Sequence, residues 1–200
     1  MSETIRFAWG DSSLGDFMIA RSAHGLVACD FAGRREIVED GLRQRFPDAT
    51  SVKDELGLAR DRDAVRRAIE TPGFDPLLPL DLRGSIYEIS IWQMLRRIPP
   101  STTATYNGLA FRIGTRDTRE LTAAIRANPV AVLVPCHRVI AKDGSLREYR
   151  WGICRKRILL RREGELQRNG KRRPAAGERP LLALRCLLRR DLHGTPTVPV

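Results

Sequence analysis

The stretch Val130-Ala131-Val132-Leu133-Val134-Pro135-Cys136-His137-Arg138 constrains this chain more than any other. The apolar run over 130–134 has the length and β-branched content of a buried strand, so a strand is predicted there. Pro135 restricts Val134 and stiffens the approach. The end of the run delivers a thiol and an imidazole at consecutive positions. Consecutive side chains on a strand point to opposite faces. Sulfur and ring face each other only if the chain bends there, or if a water bridges them. Cys136 alone reads as a buried structural cysteine. Beside His137 it reads equally as a nucleophile with its base.

The chain has 200 residues, room for one large domain or two small ones, and its 42% hydrophobic content supplies a core. Thirty-five Lys and Arg against 24 Asp and Glu leave a net charge of +11. Such an excess favours a polyanionic partner, nucleic acid before a membrane surface. An Arg-rich protein without such a partner has the same composition. The cysteines at 29, 136, 154 and 186 have no CxxC spacing. Neither a zinc site nor a disulfide framework is expected, and a reducing compartment is. There is no N-terminal apolar signal and no long apolar span, so a soluble, cytoplasmic protein is expected, with no membrane association.

Residues 3–33 read as a β-meander: Ile5–Trp9, Phe17–Ala20 and Leu26–Cys29, with a tight turn at His24-Gly25. Residues 35–45 and 60–70 read as helices, and Thr71-Pro72-Gly73 ends the second. The prolines at 76 and 79 and extended Leu80-Asp81-Leu82 mark a subdomain boundary. Ser85 and Glu88 have capping-box spacing, followed by Ile86, Ile89, Trp92 and Leu95 at helical intervals. Pro99-Pro100 stops that helix. A helix over 105–113 ends at Gly114, and Asp117 with Glu120 has the spacing of a second capping box before a helix through Ile125. Helix, short glycine turn, helix is the helix-turn-helix outline, which many helical hairpins share. Lys142–Ser145 reads as a turn and 154–163 as a basic helix with Ile158 and Leu159 inward. From Arg168 to Pro180 the chain is rich in Arg, Gly and Pro, and a disordered tail is expected.

The segment NPVAVLVPCHRVIAKDGSLREYRWGICRKRILLRREG, Asn128 to Gly164, carries a resemblance far beyond a lone PCHR. It resembles the O6-alkylguanine-DNA alkyltransferases, in particular the C-terminal part of Ada-type adaptive-response proteins. Weaker similarity runs back through IPPSTTATYNGLAFRIG and LPLDLRGSIYEISIWQML to the meander. The resemblance implies an α/β fold: a ribonuclease-H-like α/β subdomain over 1–80, then a winged-helix-like, mostly helical subdomain with a helix-turn-helix over 81–165. Residues 166–200 are left as a basic tail.

The same resemblance implies stoichiometric transfer of an alkyl group from guanine O6, and possible activity on O4 of thymine, to a cysteine sulfur. Cys136 matches the nucleophile, His137 the base acting through a water, Glu163 the carboxylate that orients it, and Asn128 the asparagine that ties the helix-turn-helix to the strand. The nucleotide must be flipped out of the duplex. Tyr106 matches the residue that crowds the 3′ phosphate, and Arg119 the finger that fills the vacated stack. Ala123 and Ala124 match the small residues facing the minor groove, with Arg126 beside them. Val139, Ser145, Tyr149, Arg150 and Trp151 match the base pocket, with the carbonyls of Cys136 and Val139 as acceptors for the guanine amino group. No cofactor and no metal are implied. The implied partner is double-stranded DNA containing O6-alkylguanine, and a monomer is expected.

Several positions depart from the family pattern. Glu120, Leu121 and Thr122 follow the finger where small residues are usual, Glu148 stands beside the pocket tyrosine, and Ser101 replaces a turn glycine. Trp151 narrows the pocket, as in Ada-type members. These 200 residues hold no counterpart of the Ada zinc module or its AraC-like domain, so phosphotriester sensing is not expected. Two other classes compete. Alkylated-base-binding relatives flip without repair but lack the cysteine that stands here. A Cys-His hydrolase needs an oxyanion-hole glycine motif, which does not accompany Cys136.

Overall fold

The computed structural model describes residues 2–71 and 73–169, with side chains placed through Gly164. Three strands, β1 (Glu3–Gly10), β2 (Phe17–Arg21) and β3 (Leu26–Phe31), form the antiparallel meander. The β2–β3 turn is tight because Gly25 lies against the backbone of Pro79; a Cβ there would stand 2.5 Å from the Pro79 carbonyl oxygen. Helix α1 (Arg35–Arg45) leads to β4 (Ala49–Lys53), which pairs parallel with β1 and gives the sheet order β3-β2-β1-β4. The mixed polar sequence Ala49-Thr-Ser-Val-Lys53 gave no strand signal; an edge strand with exposed side chains has no apolar face to show. Helix α2 (Ala59–Glu70) follows.

Alternation along the strands divides the sheet between two cores. Ile5, Phe7, Trp9, Met18 and Ala20 share one face with Leu42 of α1. Ala8, Phe17 and Ile19 face Val65 and Ile69 of α2, in a cluster that also takes in the C-terminal half of the chain. Each large side chain buried there contributes roughly 1.5–3 kcal/mol.

Helix α3 (Ile86–Arg96) opens on the predicted capping box: Ser85 Oγ accepts from Glu88 N–H at 3.2 Å, and Glu88 Oε2 accepts from Ser85 N–H at 2.8 Å. Its inner face is Ile91, Trp92 and Leu95, whereas Ile86 is 90% exposed. Next come β5 (Ala104–Thr105), α4 (Tyr106–Arg112) and α5 (Arg119–Arg126). Gly114, at φ +77°, makes the turn that frees α4 from α5. The second expected capping box does not form: Thr118 is the N-cap without a side-chain bond, and Asp117 Oδ1 instead accepts from Arg119 N–H at 2.8 Å.

The strand expected over 130–134 is also absent. Val130 forms one isolated bridge to Cys29, and the chain then turns, with Val134 N–H bonding the Val130 carbonyl and Val132 at φ +67°. A strand needs a continuous ladder, and β3 offers backbone partners only to Pro129 and Ala131. A 3₁₀ turn over Cys136–Arg138 leads into β6 (Val139–Ile140), which pairs parallel with β5. Helix α6 (Ile153–Asn169) closes the fold and runs past the 154–163 expected for it; the expected tail lies, from residue 170, outside the described residues. Cys29 and Cys136 are free and buried.

Candidate active site

The chain bends here, in the 3₁₀ turn over Cys136–Arg138. It buries Cys136 and His137 side by side at the foot of α6 and directs them to different partners. Asn128 is fully buried and serves three groups. Its Nδ2 donates to the Val134 carbonyl at 2.9 Å and reaches Cys136 Sγ at 3.1 Å, while Oδ1 accepts from Val130 N–H at 2.9 Å. One side chain thus ties the end of α5 to both sides of the turn that carries the thiol.

His137 Nε2 lies 2.9 Å from Glu163 Oε1. Burial would raise the Glu163 carboxyl, but hydrogen bonds from His137 and Arg138 hold it down at about 2. An ionised carboxylate only accepts, so Nε2 carries the proton and Nδ1 presents its lone pair. Burial lowers the His137 pKa and keeps the ring neutral. Nδ1 is buried without a protein partner. This leaves a free lone pair on the residue that follows the thiol.

The thiol itself is pushed up to about 11 by burial, against which Asn128, Lys156 and Arg150 act. Lys156 is 1% exposed, donates to the Val139 carbonyl at 2.6 Å, and is lowered to about 8 by burial. The Val139 and Cys136 carbonyls, expected to receive a guanine amino group, each already accept one bond: Val139 from Lys156, and Cys136 from Val139 N–H. A carbonyl has a second lone pair for a ligand.

The pocket segment folds over this centre. Tyr149 and Trp151 are buried and meet edge to face, with centroids 5.3 Å apart. The Tyr149 hydroxyl is buried without a protein partner. Trp151 Nε1–H donates to Asp30 Oδ1 at 2.9 Å, and Arg150 Nη1 donates to the Asn128 carbonyl at 3.1 Å. Ser145 is exposed in the turn, its N–H bonded to Asp143. Behind the turn lies a cavity of about 520 Å³ floored by Pro135, Arg138 and Glu163; Cys136 does not line it.

A family model described as "6-O-methylguanine DNA methyltransferase, DNA binding domain" matches residues 87–165. The inducible methylated-DNA–protein-cysteine methyltransferase of Bacillus subtilis is 35% identical over 150 residues, covering 72% of this chain and 82% of that protein. The chain belongs to the methylated-DNA–protein-cysteine methyltransferase family. The bifunctional transcriptional activator/DNA repair enzyme Ada of Escherichia coli is 36% identical over 162 residues, 80% of this chain and 46% of Ada; the chain spans about half the length of that relative. The crystal structure of Mycobacterium tuberculosis OGT in complex with DNA aligns with TM-score 0.66 and 30% identity, covering 80% of this chain and 93% of that one.

The residues that this methyltransferase family suggests for DNA contact fall on α4 and α5. Tyr106 opens α4, half-buried, with its hydroxyl pKa raised by burial and by the nearby Cys136. Arg119 opens α5 with its side chain 90% exposed, held to Asp117 Oδ2 at 2.7 Å. Arg119, Ala123 and Arg126 line one shallow groove on α5. Ala124 does not face that groove. It is buried, and its carbonyl accepts the Trp92 indole N–H at 2.8 Å, because α3 packs on that side of α5. Arg126 pairs with Glu148 at 3.1 Å, so one departure from the family pattern is neutralised by a basic neighbour; Glu120 is exposed.

Three residues of the centre were not singled out as functional from sequence. Arg138 brackets Glu163, Lys156 lies beside the thiol, and Ser101 N–H reaches Glu163 Oε2 at 3.4 Å. Lys156 stands seven residues before Glu163, two helical turns away on the same face, which is a signal that periodicity could have used. Ser101 keeps a φ of +65°, the left-handed conformation that the family glycine would adopt freely.

Proposed function

We propose that this protein repairs DNA by moving a methyl or larger alkyl group from guanine O6 to Cys136 Sγ, once per molecule. The observation that carries this is a pair of buried contacts on one turn: Asn128 on the Cys136 sulfur, and Glu163 on the ring of the next residue, His137, whose Nδ1 has no protein partner. At neutral pH the buried thiol is protonated, so a base must act. His137 Nδ1 takes the thiol proton through one water. The Sγ lone pair attacks the alkyl carbon in line, the carbon–O6 bond breaks, and the proton passes on to the guanine. Asn128 and Lys156 stabilise the sulfur while it is anionic. The thioether product is stable to water, so the protein is consumed.

The target base must leave the stack to reach a sulfur this deep. In this reading Tyr106 crowds the phosphate and Arg119 fills the gap, while the basic surface supplies sequence-independent affinity for duplex DNA. The family likeness and the order β3-β2-β1-β4 support a ribonuclease-H-like subdomain over 1–80 and a winged-helix-like subdomain with the helix-turn-helix over 81–165. The protein acts as a monomer without a cofactor, in the cytoplasm.

The experiment is single-turnover transfer from duplex DNA carrying labelled O6-methylguanine. Cys136→Ser and Cys136→Ala should abolish transfer and leave DNA binding nearly intact. Transfer surviving in either variant would overturn the assignment.

A further inference from the structure

Asp30 is the penultimate residue of β3 in the N-terminal sheet, yet its buried carboxylate meets Arg150 and Trp151 of the C-terminal half. Its Oδ1 accepts the Trp151 indole N–H at 2.9 Å, across 121 residues of sequence. The same oxygen lies 3.4 Å from Arg150 Nη2, and Oδ2 lies 3.4 Å from Arg45 Nη2. The Arg150 guanidinium stands 5.4 Å from the Trp151 ring centroid. Trp151 in turn backs Tyr149 edge to face, and Tyr149 is near enough to Cys136 to feel the charge of its thiolate.

The carboxylate is itself firmly placed. The preceding residue, Cys29, exchanges backbone bonds with Pro129 and Ala131, so β3 is fastened to the segment between Asn128 and the reacting thiol. A buried indole N–H needs an acceptor, and leaving it unpaired is costly. The bond to Asp30 therefore favours the one orientation of the buried ring in which its N–H is paired. No other described side chain is bonded to that N–H.

We propose that Asp30 is a positioning residue that sets the size of the O6-alkyl group admitted beside Cys136, by holding Trp151 against Tyr149. This rests on the alkyl-transfer reading above. A firm apolar wall discriminates between groups that differ by a few carbons, and a loosened wall does so less.

The test compares single-turnover rates on duplexes carrying O6-methylguanine and O6-benzylguanine. Asp30→Ala should raise the benzyl-to-methyl rate ratio about tenfold. Asp30→Asn retains an oxygen that can accept from the indole and should stay within about twofold of the wild-type ratio. A folded Asp30→Ala protein with the wild-type ratio overturns the proposal, and so does an Asp30→Asn protein that behaves like Asp30→Ala. If Asp30→Ala does not fold, Trp151→Phe removes the donor instead. Its ratio should rise, and adding Asp30→Asn should change it no further; a further change overturns the proposal. Absence of methyl transfer by the wild type would overturn the underlying reading and this one with it. Normal wild-type transfer with an unmoved ratio removes the Asp30 assignment alone.

Discussion

Arg138 clasps the carboxylate of Glu163: its Nε lies 3.1 Å from both oxygens and its Nη2 2.9 Å from Oε1. The same carboxylate receives the His137 ring, so the residue after the histidine fixes the partner of the histidine. The other arm of Arg138 donates to the Ile98 carbonyl, which anchors the guanidinium to the end of α3. A planar fork of donors matches a carboxylate in a way that an ammonium cannot.

Arg138→Lys should therefore slow methyl transfer by roughly 10–100-fold without touching the thiol, in line with losses on removing residues that orient a catalytic group. Single-turnover rates check this. Binding to unmodified duplex should remain near that of the wild type.

Stability should respond to acid through Glu163. Its folded carboxyl, about 2, lies below its ordinary 4.5. A depressed folded value contributes stability that is fully present above about 4.5 and is lost as the pH falls towards about 2. Burial likewise lowers the His137 value, which adds loss of the same sign as the ring is forced to charge. Denaturant midpoints measured from pH 7 down to pH 3 should fall, and Glu163→Gln should flatten that fall.

Lys156 should act on the sulfur at a distance. Its charge favours the thiolate, opposing the burial that raises Cys136 to about 11. Lys156→Met should raise the thiol pKa further and slow alkylation of Cys136 by about tenfold at pH 7. A pH–rate profile on the free base O6-methylguanine shows the shift directly.

Arg119 tests flipping rather than chemistry. Its side chain is exposed at the start of α5, away from the sulfur. Extruding a base costs a few kcal/mol. Arg119→Ala should slow transfer from duplex DNA by a large factor and leave the slow reaction of free O6-methylguanine nearly unchanged. An unchanged duplex-to-free-base ratio would transfer the role to Arg116 or Arg126.

Much of this centre was legible in the chain. The meander, the Ser85–Glu88 cap and the glycine break after α4 are local signals, and the structure keeps them. Cys136, His137 and Glu163 came from a long motif, and the pairing of His137 with Glu163 follows from the 3₁₀ turn facing α6. What was missed is non-local or depends on competition. Val130–Val134 has strand composition, but no neighbouring strand offers a ladder, so the segment turns. Asp117 has capping-box spacing with Glu120, yet it bonds Arg119 instead. Asp30 reaches Trp151 across 121 residues, and no local pattern announces such a bond.

The central claim is that Cys136 takes the alkyl group and keeps it. Intact mass and peptide mapping after mixing with duplex DNA carrying O6-methylguanine test it most directly. The account predicts a gain of one methyl group per molecule, confined to the peptide containing Cys136 and absent in Cys136→Ser. An unchanged mass, or a methyl group found on Cys29, would contradict it.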